Sequence, residues 1–165
     1  VLHGGAHTFG FLMSAAGIGA LAATMYLASR KNADGLIRLI PVASIGCGLG
    51  ITSFALSRSF ALSVICLFTA GFGMMTQIAS SNTIIQTVVD EDKRGRIMSL
   101  YAMSLMGVMP LGSLIAGSVA NRIGVQYTLL SGAACCIIGA LIFAGKLQIL
   151  CEQLRPAFSD MAKHD

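Results

Sequence analysis

This chain has little charge, and nearly all of it lies outside its longest apolar runs. Charged residues make up 11% of the 165 positions against 55% hydrophobic, and the mean hydropathy is +0.79. Soluble domains average about a quarter charged residues, so an ordinary water-soluble globule is excluded. Carboxylates are scarcer still: Asp34, Asp90, Glu91, Asp92, Glu152, Asp160 and Asp165 are the full set, and all lie outside the apolar runs. That leaves no acid at depth for a proton relay within this stretch of chain. It also removes the buried carboxylate pair of general acid-base chemistry. Neither HExxH nor GxSxG occurs, so no catalytic residue is assigned and an enzyme is not expected. Cysteine is odd in number (Cys47, Cys66, Cys135, Cys136, Cys151) and shows no CxxC spacing. Neither a zinc site nor a disulfide framework is supported, and the thiols read as small apolar packing groups. No metal and no cofactor is expected. His3 and His7 stand at the start of the chain and read as incidental surface groups.

What the chain does have is five apolar runs, approximately Thr8–Ser29, Leu36–Leu56, Phe60–Thr83, Ile97–Val119 and Tyr127–Leu147. A hydrocarbon core about 30 Å thick takes roughly 20 helical residues at about 1.5 Å rise each. Within the runs the only formal charges are Arg38 and Lys146, each near an end. The reading is an all-α integral membrane protein, a bundle of about five transmembrane helices with a tail over 148–165.

Basic residues alternate between the loops. Arg30, Lys31, Arg38, Lys93, Arg94, Arg96, Lys146, Arg155 and Lys163 fall on one side, and only Arg58 and Arg122 on the other. Nine against two is a strong positive-inside signal and puts the C-terminus in the cytoplasm. The net charge of +4 is thus spent on orientation, and no nucleic-acid surface is expected. Five crossings place the N-terminus outside. With no initiator Met and no basic leader segment, Val1–His7 reads as a chain already in progress, with at least one helix expected upstream.

Ser57-Arg58-Ser59 is short enough to force a tight antiparallel hairpin between the second and third spans. Gly124 is expected to stop the fourth. Pro41 is placed in a first helical turn, where a missing N–H is harmless, and Pro110 is expected to kink the fourth span. Gly10, Ser14, Gly17 and Thr24 give the first span a small-residue face, and Gly107, Pro110, Ser113 and Gly117 do so for the fourth. Small residues let helix backbones approach closely in lipid.

The third span carries a polar stripe: Cys66, Thr69, Gly73, Thr76, Gln77 and Ser80 fall within about a 100° sector. Polar groups on a membrane helix face protein or a water-filled cavity. Thr69, Gly73, Thr76, Gln77 and Ser80 are therefore the candidates for a substrate cavity.

Between the third and fourth runs stands Asn82-Thr83-Ile84-Ile85-Gln86, an acidic segment from Asp90 to Asp92, and Arg94-Gly95-Arg96 leading into a helix. This pattern, with Pro110-Leu111-Gly112-Ser113 downstream and Gly17-Ile18-Gly19-Ala20 upstream, resembles the major facilitator superfamily. The likeness is to its bacterial branch of enterobactin-exporter-like and macrolide-efflux-like proteins. It covers nearly the whole chain and implies helices eight to twelve of a twelve-helix transporter. The third span would line the central cavity, the first and fourth would face the other half, and the second and fifth would face lipid. Asn121 departs from the acidic residue often found before Arg122, and the Arg30–Arg38 loop lacks a full Asp-Arg-x-Gly-Arg-Arg pattern. Arg94 and Arg96 could pair with carboxylates or helix ends, with Gly95 allowing a tight turn between them. Asn82, Gln86, Asp90, Arg94, Gly95 and Arg96 thus form a loop motif, read as either a gating latch or an orientation anchor.

The expected function is secondary active transport, more efflux than uptake, of a small molecule across a bacterial inner membrane. The expected partners are the substrate, the lipid bilayer and the N-terminal half of the same transporter. The alternative is a non-transporting membrane assembly module that acts only with a partner chain. The topology is directly testable. In a cysteine-free background, Lys93→Cys should label from the cytoplasm and Arg58→Cys from the opposite side, and reversed labelling of both would overturn the orientation.

Overall fold

The computed structural model describes residues 6–29, 35–57 and 59–161, with side chains described within 7–147. Every described element is an α-helix: α1 (Ala6–Ala28), α2 (Leu36–Leu56), α3 (Phe60–Val88), α4 (Glu91–Ile123) and α5 (Val125–Met161). All five are long and apolar enough to cross a membrane. The chain is an all-helical membrane protein.

Several boundaries move from those expected, each for a local reason. The third span continues past Thr83 to Val88, where the backbone turns extended at Val89 (φ −88°, ψ 129°). The fourth starts at Glu91, not Ile97, so Arg94-Gly95-Arg96 lies inside a helix and Gly95 makes no turn. The turn sits at Asp90, whose carbonyl accepts from the Lys93 and Arg94 N–H groups at 3.0 Å each. Pro41 is also deeper than placed. It lies beyond the first turn that begins at Leu36, so the Ile37 carbonyl loses the N–H donor that position 41 would supply. In the tail, backbone helix runs on to Met161, while 162–165, and the loop residues 30–34 and 58, lie outside the described residues.

Two junctions match their sequence signals. Gly124 caps α4 at φ 90°, a left-handed conformation that side chains rarely adopt. At the α2–α3 hairpin, buried Ser57 accepts from the Ser59 N–H at 3.3 Å. Ser63, fully buried, donates to the Ser59 carbonyl at 2.9 Å and lies 3.3 Å from the Ser57 hydroxyl.

The bundle is organised around α3, which packs on α1 along one side and α2 along the other; α5 then docks on α2. The core is made of small groups, including Ala15, Ala23, Ala43, Cys47, Ala55, Cys66, Ala70 and Ala133. Glycine sets the spacing. A Cβ on Gly19 would collide with the Phe68 carbonyl, and one on Gly71 with the Ala16 carbonyl, so α1 and α3 interlock backbone to backbone. Gly73 does the same against α2, with the Ala43 carbonyl 2.5 Å from the added atom, and Gly50 answers from α2 against the Cys66 carbonyl at 2.9 Å. The face expected on α1 is displaced: Gly10 and Gly17 meet nothing within 4 Å, and it is Gly19 that makes the contact.

By contrast α4 leans on α5 and scarcely touches α3. Its one described cross-helix hydrogen bond is long, from the Tyr101 hydroxyl to the Ile78 carbonyl at 3.5 Å. None of its residues is buried. Hydroxyls throughout the bundle fold back on their own helices, as from Ser14 to the Gly10 carbonyl (2.9 Å), Thr69 to Ile65 (2.8 Å) and Ser104 to Leu100 (2.8 Å).

Steric interlock makes a graded prediction. Gly19→Val and Gly71→Val should each destabilise the folded protein by about 1–3 kcal/mol through overpacking. Gly17→Ala, whose Cβ enters open space, should be near neutral. Thermal unfolding in detergent measures the difference, and equal shifts for all three would refute the interlock.

Candidate functional site

The five cavity candidates on α3 do not converge on one chamber. Gly73 is buried against α2, and Thr76 and Ser80 are buried within the bundle, at 1% and 0% exposure. Neither of those two hydroxyls has a hydrogen-bond partner among the described residues, so the interior beside α3 holds unsatisfied polar atoms. Thr69 is exposed, its hydroxyl turned back on its own helix. Of the five, Gln77 lines a pocket.

That space is a crevice of about 410 Å³ where α2, α3 and α5 meet, lined by Pro41, Ser44, Gln77, Ser81, Cys136 and Phe143 among others. Sequence reasoning missed every contributor except Gln77, because the crevice is made by the register of three helices and not by a pattern on one. Pro41 was the available signal, since a proline inside a packed helix often marks a local opening. The walls are held by contacts across α2 and α5. The Cys136 thiol donates to the Ser44 carbonyl at 3.6 Å, and Gly48 lets Ile137 and the Ala133 carbonyl come close. A second hollow, of about 320 Å³, lies along α4 at Leu114, Ser118 and Arg122.

The loop motif gathers at the α3–α4 junction. Gln86 donates to the Asn82 side-chain carbonyl at 2.8 Å, one turn apart on α3. Asp90 sits at the N-cap of α4 without a side-chain capping bond and lies 4.0 Å from the exposed Lys93 ammonium. Glu91 and Asp92 occupy the first turn, where acids complement the helix dipole. Arg96 is exposed, whereas the Nε of half-buried Arg94 is shielded from solvent and has no partner among the described residues. The structure thus separates two arginines that the sequence presents as equivalent. Along α4, Gly107 and Gly117 face open space, and Ser113 donates to the Pro110 carbonyl at 2.8 Å within a helix that continues past the proline.

No solved structure matches this chain. Among curated proteins, a staphyloferrin A transporter from Staphylococcus aureus is 23% identical over 156 residues, covering 93% of this chain. The chain spans 39% of that relative's length. Residues 1–156 match the family described as transmembrane secretion effectors, within the major facilitator superfamily of transporters. With a family match over nearly all of its length and five membrane-length helices to carry it, the chain belongs to the transmembrane secretion effector family.

Proposed function

We propose that this chain is the C-terminal part of a secondary active transporter that exports a small molecule by alternating access. It would act with an N-terminal half in a bacterial inner membrane, its C-terminus in the cytoplasm. The observation that carries this reading is the state of α4 and of Arg94 at its base. A membrane-length helix with no buried residue and a row of open small residues is built to lie against further helices. A guanidinium Nε shielded from water and lacking a described partner is costly unless a carboxylate or carbonyl comes to meet it. Both needs are met if a second half closes against α4 in one state and leaves it in another. The substrate path then runs along the faces of α1, α3 and α4 that this chain leaves uncovered, Thr69 among them.

The resemblance to the enterobactin-exporter-like and macrolide-efflux-like branch is the ground for choosing export, and the relative from Staphylococcus aureus makes staphyloferrin A the first compound to assay. The full-length protein in inverted vesicles should accumulate its substrate when an ion gradient is imposed. Absence of flux for the isolated full-length chain, with recovery only beside a second protein, would favour the assembly-module alternative.

Arg94 and Arg96 separate a latch from an anchor. Orientation depends on charge and not on fork geometry, so Arg94→Lys with Arg96→Lys should insert normally and reach wild-type abundance. A bidentate contact would be lost, slowing transport severalfold. Most of the loss should come from Arg94→Lys alone. Wild-type rates in the double variant, normalised to protein level, would leave only the anchor.

A further inference from the structure

Two thiols meet where α2, α3 and α5 come together. Cys47 on α2 and Cys136 on α5 stand on facing helices, and their side chains are in hydrogen-bonding contact. The packing around them agrees. The Cys136 thiol donates to the Ser44 carbonyl at 3.6 Å, one turn before Cys47 on the same side of α2. Gly48, next to Cys47, lets Ile137 and the Ala133 carbonyl of α5 come close. From α3, a Cβ on Gly73 would fall 3.0 Å from that of Cys47, so the missing side chain leaves the cysteine its place. Cys47 is buried, at 7% exposure, whereas Cys136 is half-buried and lines the crevice together with exposed Cys135.

Scattered cysteines serve as small packing groups, but a touching pair has chemistry of its own. Each thiol can release its proton to a soft metal ion, and together they supply both ligands of a linear two-coordinate site. Among the described residues no group of three or more His, Cys, Asp or Glu is placed to hold an ion, so the pair stands as a pair. Cys151 and Glu152, whose side chains lie outside the described residues, stand about 22 Å or more further along α5. Asp34 precedes the start of α2 at Leu36, itself about 16 Å along the helix from Cys47. Ions that want four ligands, zinc among them, are poorly served by such a pair. Charge narrows the choice again. A monovalent ion between two thiolates leaves a net negative charge inside an apolar bundle, whereas a divalent ion leaves none.

We propose that Cys47 and Cys136 form a two-thiolate site for a soft divalent metal ion of the mercuric class, reached through the crevice. Two metal–sulfur bonds form, two S–H bonds break, and both protons leave to solvent, so the product is neutral and nothing is oxidised or reduced. The Cys136 thiol gives up its hydrogen bond to the Ser44 carbonyl in the exchange. The bound ion staples α5 to α2, the helix on which it docks. The site depends on the pairing of these two helices and not on transport.

The test is native mass spectrometry of the full-length protein in neutral detergent, given one equivalent of mercuric chloride and then excess glutathione as a competing thiol. Wild type should keep one mercury, with a mass gain equal to the ion less two protons. Cys47→Ala and Cys136→Ala should each lower that retention by about a hundredfold, because either variant leaves one thiolate where two acted together. Cys66→Ala should change nothing, and zinc chloride should leave no retained ion. Should a variant fail to fold, the loaded wild-type protein still decides the matter. Trypsin cleaves at Arg38, Arg58, Arg122 and Lys146, so the peptides carrying Cys47 and Cys136 should be recovered joined by one mercury. Full retention by either single variant would overturn the proposal. So would a mercury found within the α5 peptide alone, bridging Cys135 to Cys136, or retention of zinc.

Discussion

Close approach of backbones at α3 is the constraint on which the rest of this bundle depends. In a bilayer, lipid tails are as apolar as leucine, so apolar burial gives helices little reason to associate. What remains is dispersion at short range, and that requires side chains small enough to let main chains meet. Gly71 and Gly19 bring α3 against α1; Gly73 and Gly50 bring it against α2. With two sides of α3 so taken, α5 docks on α2, and α4 is left at the edge. The crevice at Gln77 follows from the same geometry, since it is the gap left where α5, held to α2 at Gly48 and Ser44, cannot also close on α3.

The same residue type plays opposite parts on neighbouring helices. Gly71 is indispensable because a carbonyl stands where its side chain would be, whereas Gly112 on α4 looks onto empty space. Nothing in the two local sequences separates them. The difference lies in what is opposite, and for α4 little stands opposite among the described residues. Arg94 repeats the lesson in electrostatic form, with a polar atom shielded on one side and no described group on the other to receive its proton.

That contrast sets the limit of what the sequence discloses. Span number, the tight hairpin at Ser57 and the stop at Gly124 were legible because each depends on local chemistry: run length, loop length and the conformational freedom of glycine. The pairing of helices was not, because it depends on which carbonyl faces which glycine. Gly10 and Gly17 give the sequence a small-residue face, yet Gly19 is the residue in contact. Pro41 lies deeper in its helix than a first-turn position, and Gly95, between two arginines, continues a helix instead of making a turn. The polar stripe of α3 was correctly periodic, yet periodicity marks a side of a helix and not its neighbour. Cys66 and Gly73 meet α2, Thr76 and Ser80 are buried, Thr69 is exposed and Gln77 enters the crevice.

Hydroxyl groups that bond to their own helix carry a consequence for how this protein is made. Ser14, Thr52, Thr69, Ser104 and Ser118 each donate to the carbonyl four residues back, so their polarity is settled before any other helix arrives. A nascent segment leaving the ribosome can therefore partition sideways into lipid on its own, one span at a time, without waiting for a neighbour to shelter it. Among the buried hydroxyls of the described residues, those of Thr76 and Ser80 lack even that internal partner. α3 thus enters the bilayer with two hydroxyls whose polarity neither its own helix nor any described neighbour settles.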